Sequence, residues 1–431
     1  MAPSHNLRKD ATMRLLAKGA VALTAVAVLA GCSAGAGSNA SSKTQLDWWV
    51  INPSSPSASE AQEKIIKDFE AANPDIKIKK TNRAVDAHKD ALRTSIGTAA
   101  APDIYDYWAG PGLGGELVKN GASADLSAQY TEYKWPERFT EAALAPVQQY
   151  GGYHGVPWKL NGEALYYNKK LFQEAGITEL PKTLDELNAA AAKLKDAGIT
   201  PIQFGGTVNW HVMRLLDTFL EGYCGSDTFD RLVTDQANWG QEECVTKSFT
   251  NLQKWSKDYF NSGFIGINND ESSSLFFNGK AAMALEGDWF NSQIQDNAPN
   301  AEDFGVFPLP TGTGRMYGFE QAMYVTKDSK DATAAAKFLD YMMSTPVQQE
   351  TLGKFSTQSV NKEVKPTSTD ELSKSWEAIF EDAKGLYMNN DQNLTQSQTT
   401  EYWRIQNLVA TGGLDPAKAG AEFQKFLDSS K

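Results

Sequence analysis

The sequence is short of the residues on which several classes of protein depend. Its 431 residues include 4 histidines and 3 cysteines. Beyond the N-terminal segment the histidines His88, His154 and His211 lie far apart, and no His-x-Cys or Cys-x-x-Cys spacing occurs. Metal sites in proteins depend on clusters of these residue types. We therefore expect no metal site, and we expect no cofactor.

Positive charge and long apolar runs are scarce as well. The chain has 41 Lys and Arg against 53 Asp and Glu, a formal net charge of -12. Because residues 1–31 carry four Lys or Arg and one Asp, residues 32–431 carry a net charge of -15. A surface this acidic repels phosphate backbones and anionic lipids, which argues against nucleic-acid and peripheral membrane partners. After residue 31 no run approaches 18 consecutive apolar residues, so we expect no membrane span there.

The first 31 residues have the three-part layout of an export signal. Four basic residues lie between positions 8 and 18, an apolar run follows at residues 19–30, and small residues come directly after it. The run is about 12 residues long, whereas roughly 20 are needed to cross a bilayer. We therefore expect a removable targeting segment over residues 1–31.

The end of this segment, Leu29-Ala30-Gly31-Cys32, resembles the lipobox of bacterial lipoproteins, in which the cysteine thiol is acylated and becomes the first residue. Residues 33–44 are almost all Ser, Ala, Gly and Asn, a composition typical of a flexible coil with a reach of about 20 Å. We expect lipidation at Cys32 and a tether over residues 32–44. The protein would then be exported and anchored to the cell membrane through its lipid.

The two remaining cysteines are Cys224 and Cys244. In an oxidising compartment, a pair separated by 20 residues is most simply one disulfide that closes a surface loop. Two free thiols or a metal-binding pair are the alternatives that the spacing leaves open.

Strand and helix signals alternate along the chain, which favours an α/β architecture. A body of about 400 residues exceeds the usual limit of about 250 to 300 for one hydrophobic core, so we expect at least two domains. Apolar periodicity, caps and breakers predict strands at residues 46–51, 76–78 and 103–108, and helices at 60–72, 85–96, 183–198, 332–343 and from 415 onward.

Eight short motifs follow one another in a fixed order. They are FEAANPDI at 69–76, APDI at 101–104, YHGVP at 153–157, YYNKKLF at 166–172, PKTLDEL at 181–187, GKAAM at 279–283, GDW at 287–289 and FGVFPLP at 304–310. This series resembles the extracellular solute-binding proteins of carbohydrate ABC importers, the group that includes maltodextrin-binding protein. Each motif alone is weak, and the ordered series is specific.

The resemblance implies an α/β, two-lobed, type II periplasmic-binding-protein-like fold with the ligand cleft between lobes joined by hinge crossings. It also implies a receptor, expected to be monomeric, that captures a di- or oligosaccharide and delivers it to the transmembrane subunits of an ABC permease. Matched residue by residue, it predicts lobe 1 at 45–159 plus 309–362, lobe 2 at 160–308 plus 363–431, and crossings near 160–162, 307–310 and 360–366.

Sugar recognition needs flat apolar platforms beside planar polar groups, and 11 Trp is heavy use for this length. Trp108 and Asp106 end a strand before a Gly-rich turn, and Trp289 follows the Gly of an Ala-Met motif, which are positions where the family places ligand contacts. For any Trp the alternative is packing in a core. The full set of candidate ligand-binding residues is Trp49, Asp106, Trp108, Trp158, Asn161, Glu163, Trp210, Asp288, Trp289, Phe319 and Trp403.

Three other functions are weighed against this one. Residues 110–115, Gly-Pro-Gly-Leu-Gly-Gly, have the spacing of a dinucleotide-binding turn, but the lobe does not open with this turn and no convincing βαβ unit with an acidic residue about 20 positions later accompanies it. Asp106, Glu163, Glu286 and Asp288 could supply the carboxyl pair of an exported glycoside hydrolase. A receptor of the same fold for a non-sugar solute is also possible. The resemblance supplies no catalytic residues, so we expect no enzyme.

Overall fold

The fold is described from a computed structural model, which covers residues 43–148 and 151–430. The expected signal segment, Cys32 and nearly all of the expected tether lie outside these residues. Within the part of the chain that is covered, no helix is both long and apolar enough to cross a membrane.

The described residues contain nine strands in one sheet. Its order is β2-β1-β3-β8-β4-β6-β5, with β7 also paired to β4 and β9 to β8. The strands are β1 Thr44–Ile51, β2 Ile76–Arg83, β3 Ile104–Trp108, β4 Gly155–Asn168, β5 Thr200–Gln203, β6 Ala281–Gly287, β7 Phe304–Phe307, β8 Met316–Val325 and β9 Leu386–Met388.

Helices surround this sheet. They are α1 Pro56–Ala72, α2 Val85–Ser95, α3 Gly114–Lys119, α4 Ser127–Glu132, α5 Trp135–Arg138, α6 Glu141–Leu144, α7 Lys169–Glu174, α8 Leu184–Asp196, α9 Asn209–Cys224, α10 Ser226–Val233, α11 Glu243–Asp258, α12 Asn269–Phe277, α13 Phe290–Asn297, α14 Ala332–Met342, α15 Thr345–Thr351, α16 Glu371–Asp382, α17 Asn390–Asn393, α18 Gln396–Ala410 and α19 Pro416–Ser429.

The helices and strands expected from periodicity are confirmed, because their local signals act as predicted. Thr183 caps α8, its hydroxyl accepting a hydrogen bond from the Glu186 backbone N–H at 3.2 Å. Gly198 follows that helix with φ of 75°, a conformation that glycine adopts without steric cost. Asp415 caps α19, with proline at its first helical position.

The buried apolar residues form separate core clusters in two lobes. The first lobe has a core cluster that includes Trp48, Phe69 and Phe338. The second lobe packs on both faces of its part of the sheet, since successive strand residues point to opposite faces and the neighbours Leu165 and Tyr166 belong to different clusters. This division agrees with the predicted fold class.

Two long antiparallel strands, β4 and β8, carry the chain between the lobes. Asn161 is paired with Phe319, and Gly162 with Gly318. A Cβ on Gly318 would lie 2.3 Å from the backbone oxygen of Asn161, so only glycine fits where these strands meet. Tyr317 packs in a core of lobe 2 and Phe319 in that of lobe 1. The predicted lobe boundaries stay predictions, because a core cluster does not fix a boundary.

A disulfide joins Cys224, at the end of α9, to Cys244 in α11, with their Cα atoms 5.0 Å apart. These two helices pack side by side in lobe 2. The bond therefore ties together two helices of one lobe and leaves the movement of the lobes relative to each other unconstrained.

Candidate functional site

A row of three aromatic rings crosses from one lobe to the other beside the β4 and β8 crossing. Phe319 has its ring centroid 6.3 Å from that of Trp108 and 5.5 Å from that of Trp289. Trp108 ends β3 in lobe 1, whereas Trp289 follows β6 in lobe 2 and packs against cores of both lobes. The structure thus brings together three candidates that are up to 211 positions apart in the sequence. They form one apolar platform.

A buried ion cluster lies against the lobe 2 end of this row. The Arg214 guanidinium in α9 is 5.4 Å from the Trp289 ring centroid and 4.7 Å from that of Trp210. Its Nη1 donates to Glu286 Oε2 at 2.7 Å. Its Nε forms an ion pair with Glu163 Oε1 at 2.6 Å, at an angle outside hydrogen-bond geometry. One cation therefore sits between two carboxyl groups, and all three side chains are buried.

The electrostatics of this cluster follow from its burial. Loss of hydration raises the pKa of Glu163 to about 7, and the charge of Arg214 opposes this rise. Burial likewise raises the pKa of Glu286, again against Arg214. The pKa of His211 falls well below its usual value because of burial and the nearby guanidinium. His211 is therefore neutral, and its Nδ1 accepts a hydrogen bond from the Gly205 N–H at 3.1 Å.

Asp106 contributes a second polar group, on the lobe 1 side. Its carboxylate accepts a hydrogen bond from Gln321 Nε2 at 3.3 Å, and its other oxygen has no side-chain partner within the described residues. Burial raises the pKa of Asp106, while the nearby Lys159 is the largest opposing influence. The buried Asp106 and Lys159 offer an acceptor and a donor close to Trp108, which lies two residues after Asp106.

Asp288 and Asn161 bond to each other and to lobe 1. Asp288 Oδ1 accepts from Asn161 Nδ2 at 2.6 Å. Asp288 Oδ2 accepts from Ser356 Oγ at 2.9 Å, from the Thr357 backbone N–H at 2.6 Å and from Thr357 Oγ1 at 3.0 Å. Protein donors thus occupy both oxygens of this carboxylate. Its contact with a ligand stays a prediction, and its observed contacts join β6 to the loop after α15.

The remaining candidates lie around this centre at different depths. Trp158 is 3% exposed and packs in the lobe 1 core against Phe355. Trp49 is stacked under the Arg83 guanidinium at 3.8 Å. Trp403 donates its indole N–H toward the Met213 sulfur at 3.2 Å. Ligand contacts by these tryptophans stay predictions. Four tryptophans outside the candidate set are fully buried: Trp135, Trp239, Trp255 and Trp376.

A pocket of about 130 Å³ opens where α2 of lobe 1 faces the segment before and within α18 of lobe 2. Trp403 lines it, together with Lys89 and Asp391. Lys89 Nζ also lies 4.6 Å from the centroid of the Trp108 ring. The pocket therefore adjoins the aromatic row and marks the edge of the cleft between the lobes.

Sequence reasoning missed Arg214, Lys89 and Asp391. A signal for Arg214 existed, because it interrupts the apolar stretch of α9 and a buried guanidinium requires carboxylate partners. Lys89 and Asp391 have ordinary polar surroundings in the sequence, and nothing local distinguishes them. Among the described residues no group of three or more His, Cys, Asp or Glu could hold a metal ion.

The sequence of this chain is similar to those of known binding proteins. The sequence model of the bacterial extracellular solute-binding protein family matches residues 52–349. The multiple sugar-binding protein of Streptococcus mutans is 25% identical over 306 residues, covering 67% of this chain and 69% of that protein. The diacetylchitobiose binding protein DasA of Streptomyces coelicolor is 27% identical over 322 residues, covering 72% and 71%.

A solved structure of a chitin oligosaccharide binding protein superposes with a TM-score of 0.82 at 24% identity, covering 90% of this chain and 98% of that one. A solved complex of a solute-binding protein with raffinose has a TM-score of 0.74 at 21% identity, covering 89% and 98%. At these identities the agreement concerns the fold alone.

Proposed function

This chain belongs to the family of bacterial extracellular solute-binding proteins, and from that premise we propose that it binds a di- or oligosaccharide for an ABC importer. The sugar is held between the lobes and passed to the transmembrane subunits of the permease. The names of two relatives, a multiple sugar-binding protein and a diacetylchitobiose binding protein, support a carbohydrate. The aromatic row and its polar neighbours support it independently.

The observation that carries the proposal is the row of Trp108, Phe319 and Trp289 beside buried carboxyl groups. A pyranose ring has apolar C–H faces, which pack on flat aromatic rings, and a rim of hydroxyls, which both donate and accept hydrogen bonds. Asp106 supplies an acceptor at the lobe 1 end of the row, and Glu163 supplies one near the lobe 2 end. A row that spans two lobes suits more than one sugar unit.

The mechanism of capture is closure of the lobes. A sugar that contacts both Trp108 and Trp289 binds the closed arrangement better than the open one, and it shifts the population by that difference in affinity. Bending is concentrated at the paired Gly162 and Gly318 of β4 and β8, where the two strands cross between the lobes. The permease then receives the sugar from the closed receptor.

We propose that the protein binds oligosaccharides without hydrolysing them. A glycoside hydrolase needs one carboxyl group as acid and a second as base or nucleophile across the scissile bond. In this chain Glu163 and Glu286 share the guanidinium of Arg214, and Asp288 is bonded to protein donors. Incubation with malto-, cello- and chito-oligosaccharides should leave them intact by chromatography, and shortened products would contradict the receptor proposal.

A thermal-shift screen tests the ligand class. A sugar present at 100 times its dissociation constant stabilises a receptor by about 2.7 kcal/mol, so a binding oligosaccharide raises the melting temperature. The screen should include mono-, di- and trisaccharides with α and β linkages, and peptides and polyamines as non-sugar controls. Stabilisation by a peptide or a polyamine, with none by any sugar, would refute the proposal.

We also propose that Cys32 carries lipid and holds the receptor at the cell membrane. The apolar run, the small residues before Cys32 and the polar stretch after it support this. Expression in a bacterial host, followed by membrane fractionation, tests it: the wild-type chain should pellet with membranes and Cys32→Ser should not. A monomer is expected, to be checked by light scattering of the chain that starts after Cys32.

A further inference from the structure

The two lobes touch directly at the cleft edge. The backbone N–H of Gly112 in lobe 1 donates to the backbone oxygen of Gln392 in lobe 2 at 2.7 Å. Beside it, Lys89 Nζ donates to Asp391 Oδ2 at 2.9 Å, and both side chains are less than a tenth exposed. We call these four residues the interlobe clasp.

The lobe 2 half of the clasp is rigidly attached to its own lobe. Asn390 donates to Asp217 in α9 through its backbone N–H at 3.0 Å and through Nδ2 at 2.8 Å. Asn389 Nδ2 donates to Glu163 Oε2 at 3.2 Å. Leu394, which follows α17, packs in the lobe 2 core. The clasp therefore joins two lobes and is not a loose loop.

The close approach of lobe 2 requires a glycine at position 112 of the clasp. A Cβ on Gly112 would lie 1.8 Å from the backbone oxygen of Leu394, and one on Gly110 would lie 2.5 Å from the Cβ of Gln392. Neither glycine has a positive φ, so the backbone of lobe 1 itself would accept alanine at both positions. The steric need for glycine at positions 110 and 112 therefore arises only while the two lobes are in contact.

The glycine-rich stretch 110–115 thus has a use other than cofactor binding. Gly114 differs from Gly112, because a Cβ there would meet Trp108 and Tyr324 of its own lobe at 2.5 and 2.4 Å. Gly114 is therefore needed for the fold of lobe 1. Gly112 is needed for the approach of lobe 2.

From these contacts we propose that Gly112, Lys89 and Asp391 are closure residues, which set affinity through lobe-to-lobe contact instead of contact with the sugar. The proposal rests on the proposed function. The apparent dissociation constant of a receptor is its intrinsic value divided by the fraction of molecules in the competent state. Contacts made only in the closed state raise that fraction for every sugar alike.

The charged groups around the ion pair belong to both lobes. Asp86, Asp90 and Arg93 of α2 line the same pocket as Lys89 and Asp391. The net charge of this set is -1, so removal of Lys89 leaves Asp391 facing other carboxylates of lobe 1. The pair therefore favours closure, and a variant without the cation is expected to favour separation of the lobes.

Small-angle scattering of the full chain in detergent and without sugar tests the proposal first. Gly112→Ala should have a larger radius of gyration than the wild type, at an unchanged circular dichroism spectrum. Gly266→Ala is the matched control, since a Cβ there has no atom within 4 Å and φ is not positive. It should scatter like the wild type. Equal radii for all three proteins would overturn the proposal.

Calorimetry with maltotriose, cellotriose and chitotriose is the second measurement. For each of these sugars that binds the wild type, Gly112→Ala should bind at least ~10-fold more weakly, by the same factor for each. Loss for one sugar and not another would mean that Gly112 contacts ligand, which contradicts the proposal. If none binds the wild type, the proposed function fails for these sugars, while the scattering result still decides the clasp.

The ion pair is tested by a charge reversal. Lys89→Glu and Asp391→Lys should each enlarge the radius of gyration, and the double variant should restore it because the pair re-forms with opposite polarity. A merely structural role in either lobe would not be rescued in this way. A double variant as expanded as the single variants, with wild-type circular dichroism, would refute the role of the pair.

Discussion

Replacement of Arg214 by methionine is a perturbation whose effect follows directly from the structure. The side chain of Arg214 is 5% exposed, and those of its partners Glu163 and Glu286 are 0% and 1% exposed. Methionine has similar length and flexibility and carries no charge. The variant therefore leaves two buried carboxyl groups together without a cation.

Breaking a buried ion pair by removing one partner costs about 3 to 5 kcal/mol. With an unfolding entropy of about 2.1 cal/mol/K per residue, a body of this length has a total near ~0.8 kcal/mol/K. The expected fall in melting temperature for Arg214→Met is therefore about 4 to 6 °C. Surface substitutions stay within about 0.5 kcal/mol, so the effect is well separated from them.

The loss of stability in Arg214→Met should also depend on pH. Burial already raises the pKa of Glu163 to about 7 and raises that of Glu286, and without Arg214 both rise further. Between about pH 4.5 and those raised values, the folded variant binds protons that the unfolded chain has released. Its stability is therefore greatest at low pH and falls as pH rises, so the difference from wild type is smaller at pH 5 than at pH 8.

Urea unfolding followed by tryptophan fluorescence, at pH 5 and pH 8, measures both effects. Arg404→Met is the matched control, because Arg404 is 45% exposed and pairs with Glu401 at the surface. It should change the free energy of unfolding by less than about 1 kcal/mol at either pH. Similar losses for the two variants, or a loss for Arg214→Met that is the same at both pH values, would show that the cluster is not a buried charge network.

Trp289→Ala should weaken oligosaccharide binding by about 1 to 3 kcal/mol in calorimetry without unfolding the protein, as checked by circular dichroism, and unchanged affinity would remove Trp289 from the site. Replacing Cys224 and Cys244 together by serine should lower the free energy of unfolding by about 2 to 4 kcal/mol, since the bond closes a 20-residue separation; a urea titration with no shift would contradict this. Burial raises the pKa of Asp217 to about 7, so its contribution to stability is fully present below its unfolded pKa near 3.8 and is lost as pH rises through 7. Asp217→Asn should therefore flatten the decline in stability between pH 5 and pH 8, and a slope equal to that of wild type would count against a shifted Asp217.

The elements of the fold are largely predictable from the sequence, because their causes are local. The apolar period of residues 60–72, the cap at Thr183 and the Asp415-Pro416 start each act within one or two turns of helix. The ordered motifs extend this to the family and its two-lobed fold. Element ends differ from the predictions by a few residues, as at α1, which begins at Pro56, since a helix end depends on its tertiary neighbours as well as on its cap.

The site is predictable in part. Trp108 and Trp289 are candidates because of their motif context and Phe319 is a candidate without it, and the structure places the three rings in one row. Trp158 lies at an expected lobe crossing, yet its ring is 3% exposed and packs against Trp48 and Phe355. Trp158 also lies at a register shift of β4, between Pro157 and Lys159, and no local sequence pattern announces such an irregularity.

The sequence alone determined the class of this protein: its α/β elements, its acidic net charge and its family. These depend on composition, period and short motifs, which act over a few residues. Only the tertiary structure decided which charges meet. Arg214, Glu163 and Glu286 come from three elements, and the clasp joins Lys89 to Asp391 over 302 positions. Such pairings depend on sheet register and lobe closure, and these are set by the packing of the whole chain.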